Sequence, residues 1–66
     1  MQVGTLINAT PSTVPYTLGV VGAICGKIVT VFWSDINGAL HEEMYYFYEL
    51  EGWIENGDIE VLNESR

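Results

Sequence analysis

Turn-forming residues punctuate this chain at short intervals, and that spacing constrains the fold more than any other feature. They stand at Gly4, Pro11, Pro15, Gly19, Gly22, Gly26, Asn37-Gly38, Gly52 and Asn56-Gly57. Most pieces between them run about five to ten residues, close to the usual length of a strand and shorter than most helices. A meander of short strands is the economical reading. The clearest strand is Lys27 to Trp33, where Val29, Val31 and Trp33 alternate with Ile28, Thr30 and Phe32. Both of its faces are apolar, so it is expected at the centre of a sheet with both sides at least partly covered. Thr17 to Cys25 reads as its hairpin partner, with Gly19 and Gly22 permitting a bulge or sharp coiling and Cys25-Gly26 making the turn. Asn37-Gly38 supplies the next turn, because both residues tolerate positive φ.

Leu40 to Leu50 admits two readings. As a strand it places Met44, Tyr46, Tyr48 and Leu50 on one face and Glu43, Tyr45, Phe47 and Glu49 on the other. As a helix it carries only an untidy apolar stripe of Leu40, Met44, Phe47 and either Tyr48 or Leu50. Consecutive aromatics lose rotamer freedom on a helix and suit a pleated surface, so Tyr45-Tyr46-Phe47-Tyr48 favours the strand. Glu51 to Asp58 then reads as a turn in which Trp53 and Ile54 plug one end of a barrel from a short helical turn. Ile59 to Val61 makes the last strand and Val3 to Ile7 the first.

A chain of 66 residues builds one domain, expected over residues 1–66. Domains of this size bury only about 60% of the surface their unfolded chains expose, so a small stability margin is normal unless a disulfide, metal or partner adds to it. Cys25 is the sole cysteine, which excludes an intrachain disulfide and fits a reducing compartment. No cluster supplies four zinc ligands. A partner or self-association is the remaining source of stability, and a cytoplasmic location is expected, or a virion if the chain is phage-encoded. The start lacks a basic segment and a sustained apolar run, so no signal peptide is read there. Leu18 to Ile24 is far short of the roughly 20 residues a membrane helix needs. The sequons at Asn8 to Thr10 and Asn63 to Ser65 are taken as chance triplets.

Charge is one-sided. Nine acids stand against two bases, Lys27 and Arg66, and every acid lies at or after Asp35. Nucleic-acid binders draw affinity from Lys and Arg displacing counterions, so direct nucleic-acid binding is not expected. The acids either keep an aromatic-rich chain soluble or face a basic protein surface.

The order of short strands, long first loop, tight middle hairpins and single turn before the last strand resembles the SH3-like small barrels. The resemblance is carried by Gly4-Thr5-Leu6-Ile7, Gly19-Val20-Val21, Gly26-Lys27-Ile28-Val29-Thr30-Val31-Phe32-Trp33, the aromatic strand, and Ile59-Glu60-Val61-Leu62. It implies an all-β, five-stranded barrel with one helical turn near Trp53. It also implies the roles common in that group, which are adaptor, nucleic-acid-associated or assembly-subunit domains and seldom enzymes acting alone. The basic residues that its nucleic-acid-binding members use are missing from this chain.

Catalytic constellations do not emerge. His41 is the only histidine, no nucleophile motif lies near it, and Glu42 and Glu43 beside it point to opposite faces of a strand. It reads as a surface histidine. Cys25 has Lys27 two residues on, yet a buried or half-buried inert thiol is the simpler account. The glycines lack the Lys-Ser/Thr ending of a phosphate loop. Asp35, Asn37 and Glu42 lack EF-hand spacing and read as turn residues. A glycosidase carboxylate pair needs a cleft that a barrel filled by its own side chains does not offer. No catalytic residue, cofactor or metal is expected.

Aromatic supply is the remaining signal. Two Trp, four Tyr and two Phe exceed what a core of roughly 10 to 15 large side chains requires, so some must lie outside it. Tyr45, Tyr46 and Tyr48 cannot all point inward, and Tyr16, Trp33 and Trp53 are expected at barrel ends or by the long loop. Tyr and Trp offer rigid apolar area with a polar tip, which suits interface anchors. The expected docking residues are Tyr45, Tyr46, Tyr48 and Trp53, rimmed by Glu49, Glu51 and Glu55. The leading functional expectation is a non-enzymatic protein-binding module, a small subunit of a larger assembly such as a phage or viral particle, or a homo-oligomer. The alternative is an inhibitor whose carboxylates imitate nucleic acid for a basic nuclease, polymerase or defence protein.

Overall fold

The computed structural model describes residues 1–10 and 18–63. Along the chain come β1 (Leu6–Ala9), β2 (Leu18–Cys25), β3 (Ile28–Ser34), β4 (Leu40–Tyr46), α1 (Phe47–Asn56) and β5 (Ile59–Val61). The strands pair antiparallel in one open sheet of order β4-β3-β2-β1-β5. The fold is thus mostly β, as expected, with β4 and β5 as the sheet's two edges and α1 packed against both. Expectations for Pro11, Pro15, Tyr16, Thr17 and the sequon ending at Ser65 fall outside the described residues.

Alternation sets the two faces. On β3, Val29, Val31 and Trp33 are fully buried and join Ile7, Ala9, Val21, Leu50 and Ile59 in the core. Their neighbours Ile28, Thr30, Phe32 and Ser34 turn to the other face, where burial is only partial. Trp33, expected near a barrel end, is instead wholly enclosed. Gly19 makes room for it, since a Cβ there would stand 2.6 Å from Trp33 Cε3. The register shifts between Val21 and Ala23, so the bulge falls on Gly22 as its lack of a side chain suggested, with the Phe32 ring lying over it. Cys25, expected to be at least half buried, is exposed in the hairpin turn, where Gly26 takes φ 61°.

Two boundaries differ from the sequence reading. The first strand begins at Leu6, because Thr5 N–H donates to the Gln2 carbonyl (3.0 Å) and Gly4 adopts φ 93°, closing a turn where Val3 to Ile7 was expected to extend. The larger correction concerns Leu40 to Leu50, which is a strand only as far as Tyr46. From Phe47 the chain is a ten-residue helix, longer than a turn near Trp53. Glu49 stabilises its start by accepting the Tyr46 N–H at its Oε1 (3.1 Å). Its end is fixed by Gly57 at φ 87°, with Gly57 N–H donating to the Ile54 carbonyl and Asp58 N–H to that of Trp53. Between these caps Phe47, Leu50 and Ile54 recur at helical spacing and face the sheet. No helix among the described residues is long and apolar enough to cross a membrane.

Candidate protein-docking surface

The expected docking residues separate into two groups. Tyr45 lies opposite Val29 on the inner face of β4, and its hydroxyl accepts the Trp33 Nε1 hydrogen bond at 2.9 Å. Its ring meets Trp33 edge-on at 6.5 Å and Trp53 edge-on at 5.6 Å. Tyr45 and Trp53 therefore extend the core toward α1, each half-buried. Tyr46 sits on the opposite face of the strand, and Tyr48 follows on the first turn of α1. Their rings stack at 5.4 Å with an interplanar angle of 18°, and both are exposed. This exposed pair meets the expectation of surplus aromatics outside the core.

The three glutamates also divide. Glu49 is engaged at the helix N-terminus. Glu51 and Glu55, one turn apart, point with Tyr48 into an open groove of about 470 Å³ whose remaining walls are Met1, Gly52, Ile54 and Val61. No basic side chain is among these lining residues. The described lining thus combines apolar side chains, one aromatic ring and two carboxylates. Met1 and Val61 were not anticipated, since Met1 stands 46 positions before the helix and Val61 belongs to the strand that follows it. Ile54 was legible from its spacing to Leu50 and Phe47 once a helix was granted.

A second surface escaped the sequence reading altogether. The outer face of the sheet aligns Leu6, Val20, Phe32 and Glu42 in one row and Asn8, Leu18, Ser34 and Leu40 in the next. Met44 and Tyr46 continue it along β4. Leu6, Leu18, Leu40, Met44 and Tyr46 are all exposed, and Leu6, Leu18, Val20, Phe32 and Leu40 shape an almost wholly apolar dimple of about 130 Å³. The clue was present in β3, whose two apolar faces require two covers, while the described residues include one helix.

His41 Nε2 and Asp35 Oδ2 stand 2.7 Å apart, within hydrogen-bond distance. Asp35 Oδ1 also accepts the N–H groups of Asn37 (2.8 Å) and Ala39 (3.0 Å). These bonds close the β3–β4 turn, as the turn-residue reading of Asp35 and Asn37 anticipated. They hold the Asp35 carboxyl below its ordinary value of 3.8, the His41 hydrogen bond contributing most. No group of three or more His, Cys, Asp or Glu among the described residues is arranged to hold a metal. Comparison with protein-family models, with curated proteins and with solved structures gives no match.

Proposed function

We propose that this chain is a non-enzymatic binding module that takes a basic segment of a protein partner in the groove along α1. The observation that carries the proposal is the meeting of Tyr48, Glu51 and Glu55 with Met1, Ile54 and Val61 around one groove. Such an arrangement offers an aromatic anchor and carboxylates that pair with Arg or Lys, the anatomy of an apolar centre with a charged rim. The excess of nine acids over two bases adds long-range attraction for a positive partner and repels phosphate backbones. The strand order, with one helix between β4 and β5, supports an SH3-like reading of the fold in which α1 stands at the gap between the edge strands. Membership of a larger assembly accords with the small size and the absence of a possible intrachain disulfide.

Selection from a displayed library of random peptides tests this directly. The expected winners carry Lys or Arg beside an apolar anchor, and their binding falls at least tenfold in Tyr48→Ala and in the Glu51→Gln, Glu55→Gln double variant. Winners without basic residues, or binding indifferent to all three substitutions, would overturn the proposal. Binding that vanishes entirely near 0.5 M salt, where the Debye length is only about 4 Å, while ignoring Tyr48→Ala would favour charge mimicry of nucleic acid instead.

A further inference from the structure

The free edge of β4 has a backbone pattern that selects one partner and one register. Asp35 N–H donates to the Ala39 carbonyl (3.0 Å) just before β4, and Phe47 N–H donates to the Lys27 carbonyl (2.7 Å) just after it. Both lie on the same register as the β3–β4 ladder, in which Trp33 faces His41 and Val31 faces Glu43. In an antiparallel pair, alternate residues exchange hydrogen bonds with the neighbouring strand and those between point their N–H and C=O away from it. The odd-numbered residues of β4 therefore bond to β3, and Leu40, Glu42, Met44 and Tyr46 present their backbone groups at the sheet edge. Tyr46 N–H is already taken by Glu49 Oε1. Leu40, Glu42 and Met44 remain.

We infer that β4 pairs antiparallel with β4 of a second copy across a two-fold axis at Glu42, joining two sheets into one of ten strands. Only this register matches all three outward residues with outward residues: Leu40 with Met44 of the second copy, Glu42 with its own counterpart, and Met44 with Leu40. Each pair exchanges both of its backbone bonds. The register also pairs an imidazole with a carboxylate across the seam. On the inner face it sets His41 opposite Glu43 of the second copy, twice, in the closer pairs that lie between the hydrogen-bonded ones. On the outer face it sets Leu40 against Met44, which are 68% and 67% exposed in the single chain. It makes the apolar outer faces of the two sheets continuous. Continuing past the strand end, it brings the Asp35–Ala39 turn of one copy, bearing the 99% exposed Ile36, beside Tyr46 of the other. Two features oppose pairing, the two Glu42 carboxylates that meet at the axis and the net charge of −7 on each copy. An edge of this kind with an acid at its centre is expected to pair reversibly, in a concentration-dependent way.

Sedimentation equilibrium over a wide concentration range tests the inference. The expected result is a reversible rise from 7.4 kDa to twice that mass. Glu42→Gln should tighten the dimer several-fold by removing the like charges. Met44→Pro should abolish it while leaving far-UV circular dichroism unchanged, because the deleted N–H points away from β3 and edge strands tolerate proline there. Hydrogen exchange supplies a readout that needs no variant: the Leu40, Glu42 and Met44 amides should gain protection as concentration rises. The inference is overturned by a chain that stays monomeric at millimolar concentration even as Glu42→Gln. It is equally overturned by a dimer that Met44→Pro leaves intact, or by exchange at these three amides that is independent of concentration.

Discussion

Tyr45 and Tyr46 are neighbours in sequence and occupy opposite environments. Tyr45 stands in a line of edge-on rings, Trp33 to Tyr45 to Trp53, with its hydroxyl bonded to Trp33 Nε1. Tyr46 stacks in the open on Tyr48. The strand's period of two separates Tyr45 from Tyr46, and Tyr48 on the first turn of α1 stays on the Tyr46 side, as it would in a continued strand. One aromatic run thus supplies both core and surface, and strand alternation decides which ring does which, while the switch to a helix turns Leu50 from the Tyr46 side into the core. The inner set should be sensitive to every atom and the outer set tolerant.

The largest effect is expected at the closed end of the ring line. Trp33→Ala removes the largest fully buried side chain and should cost about 3–5 kcal/mol, enough to unfold most of a domain this small. Chemical denaturation followed by circular dichroism measures it. A smaller change isolates the polar link: Tyr45→Phe removes the 2.9 Å hydrogen bond from Trp33 Nε1 and should cost about 0.5–1.5 kcal/mol. Tyr46→Phe, with the hydroxyl at an exposed site, should fall within about 0.5 kcal/mol of the parent. Equal losses at the two tyrosines would break the distinction between inner and outer rings.

How far this distinction was legible can be judged residue by residue. The β2–β3 hairpin, the bulge at Gly22 and the Asn37-Gly38 turn were all readable, because each depends on local chemistry: β-branched alternation, a missing side chain, or tolerance of positive φ. The switch at Phe47 was obscured because a Tyr-Tyr-Phe-Tyr run has strand propensity, and capping outweighed it. Glu49 three residues after Tyr46 and Asn56-Gly57 at the far end were the countervailing signals, and they bracket the Phe47, Leu50, Ile54 spacing. The groove was half legible. Tyr48, Glu51 and Glu55 follow from the helix, whereas Met1 and Val61 reach it only through the order of strands in the sheet. Among the described residues, the ten-residue helix packs on one face of the five-stranded sheet and no element packs on the other.

Two glycines extend the comparison from rings to backbone. A Cβ at Gly19 would meet Trp33 in the packed interior at 2.6 Å, and one at Gly22 would meet Phe32 on the outer face at 2.2 Å. Distance alone ranks Gly22 as the worse site. Burial reverses the order, since Phe32 is half-exposed and has solvent to turn into, whereas the Trp33 ring is enclosed on all sides. Gly19→Ala should therefore cost about 1–3 kcal/mol through overpacking, and Gly22→Ala less. Thermal melts of the two variants decide the ranking. A milder effect belongs to the β3–β4 turn. Asp35 is held below 3.8 first by the His41 hydrogen bond and further by the Ala39 and Asn37 N–H groups, against the opposing push of desolvation. A carboxylate with a depressed folded value stabilises the fold fully above its unfolded value and loses that contribution as pH falls through the lower one. His41→Ala should therefore lower stability near neutrality, and the deficit should shrink as pH falls below the unfolded carboxylate value; denaturant titrations at neutral and acid pH measure both.

The smallest stability effect should accompany the largest functional one. Tyr48 is exposed and its ring rests on Tyr46 alone among described aromatic contacts, so Tyr48→Ala should change stability by less than about 1 kcal/mol, the loss of one exposed stack. If the groove along α1 is where the chain meets a basic partner, the same substitution removes the aromatic wall beside Glu51 and Glu55 and should weaken peptide binding at least tenfold. Tyr45→Phe should show the reverse, a clear loss of stability with binding retained in the folded fraction. Measuring both variants in both assays separates the inner rings from the outer ones by function as well as by burial. A Tyr48→Ala protein that melted early, or a Tyr45→Phe protein that stayed folded yet lost affinity, would place the dividing line between core and interface somewhere other than between residues 45 and 46.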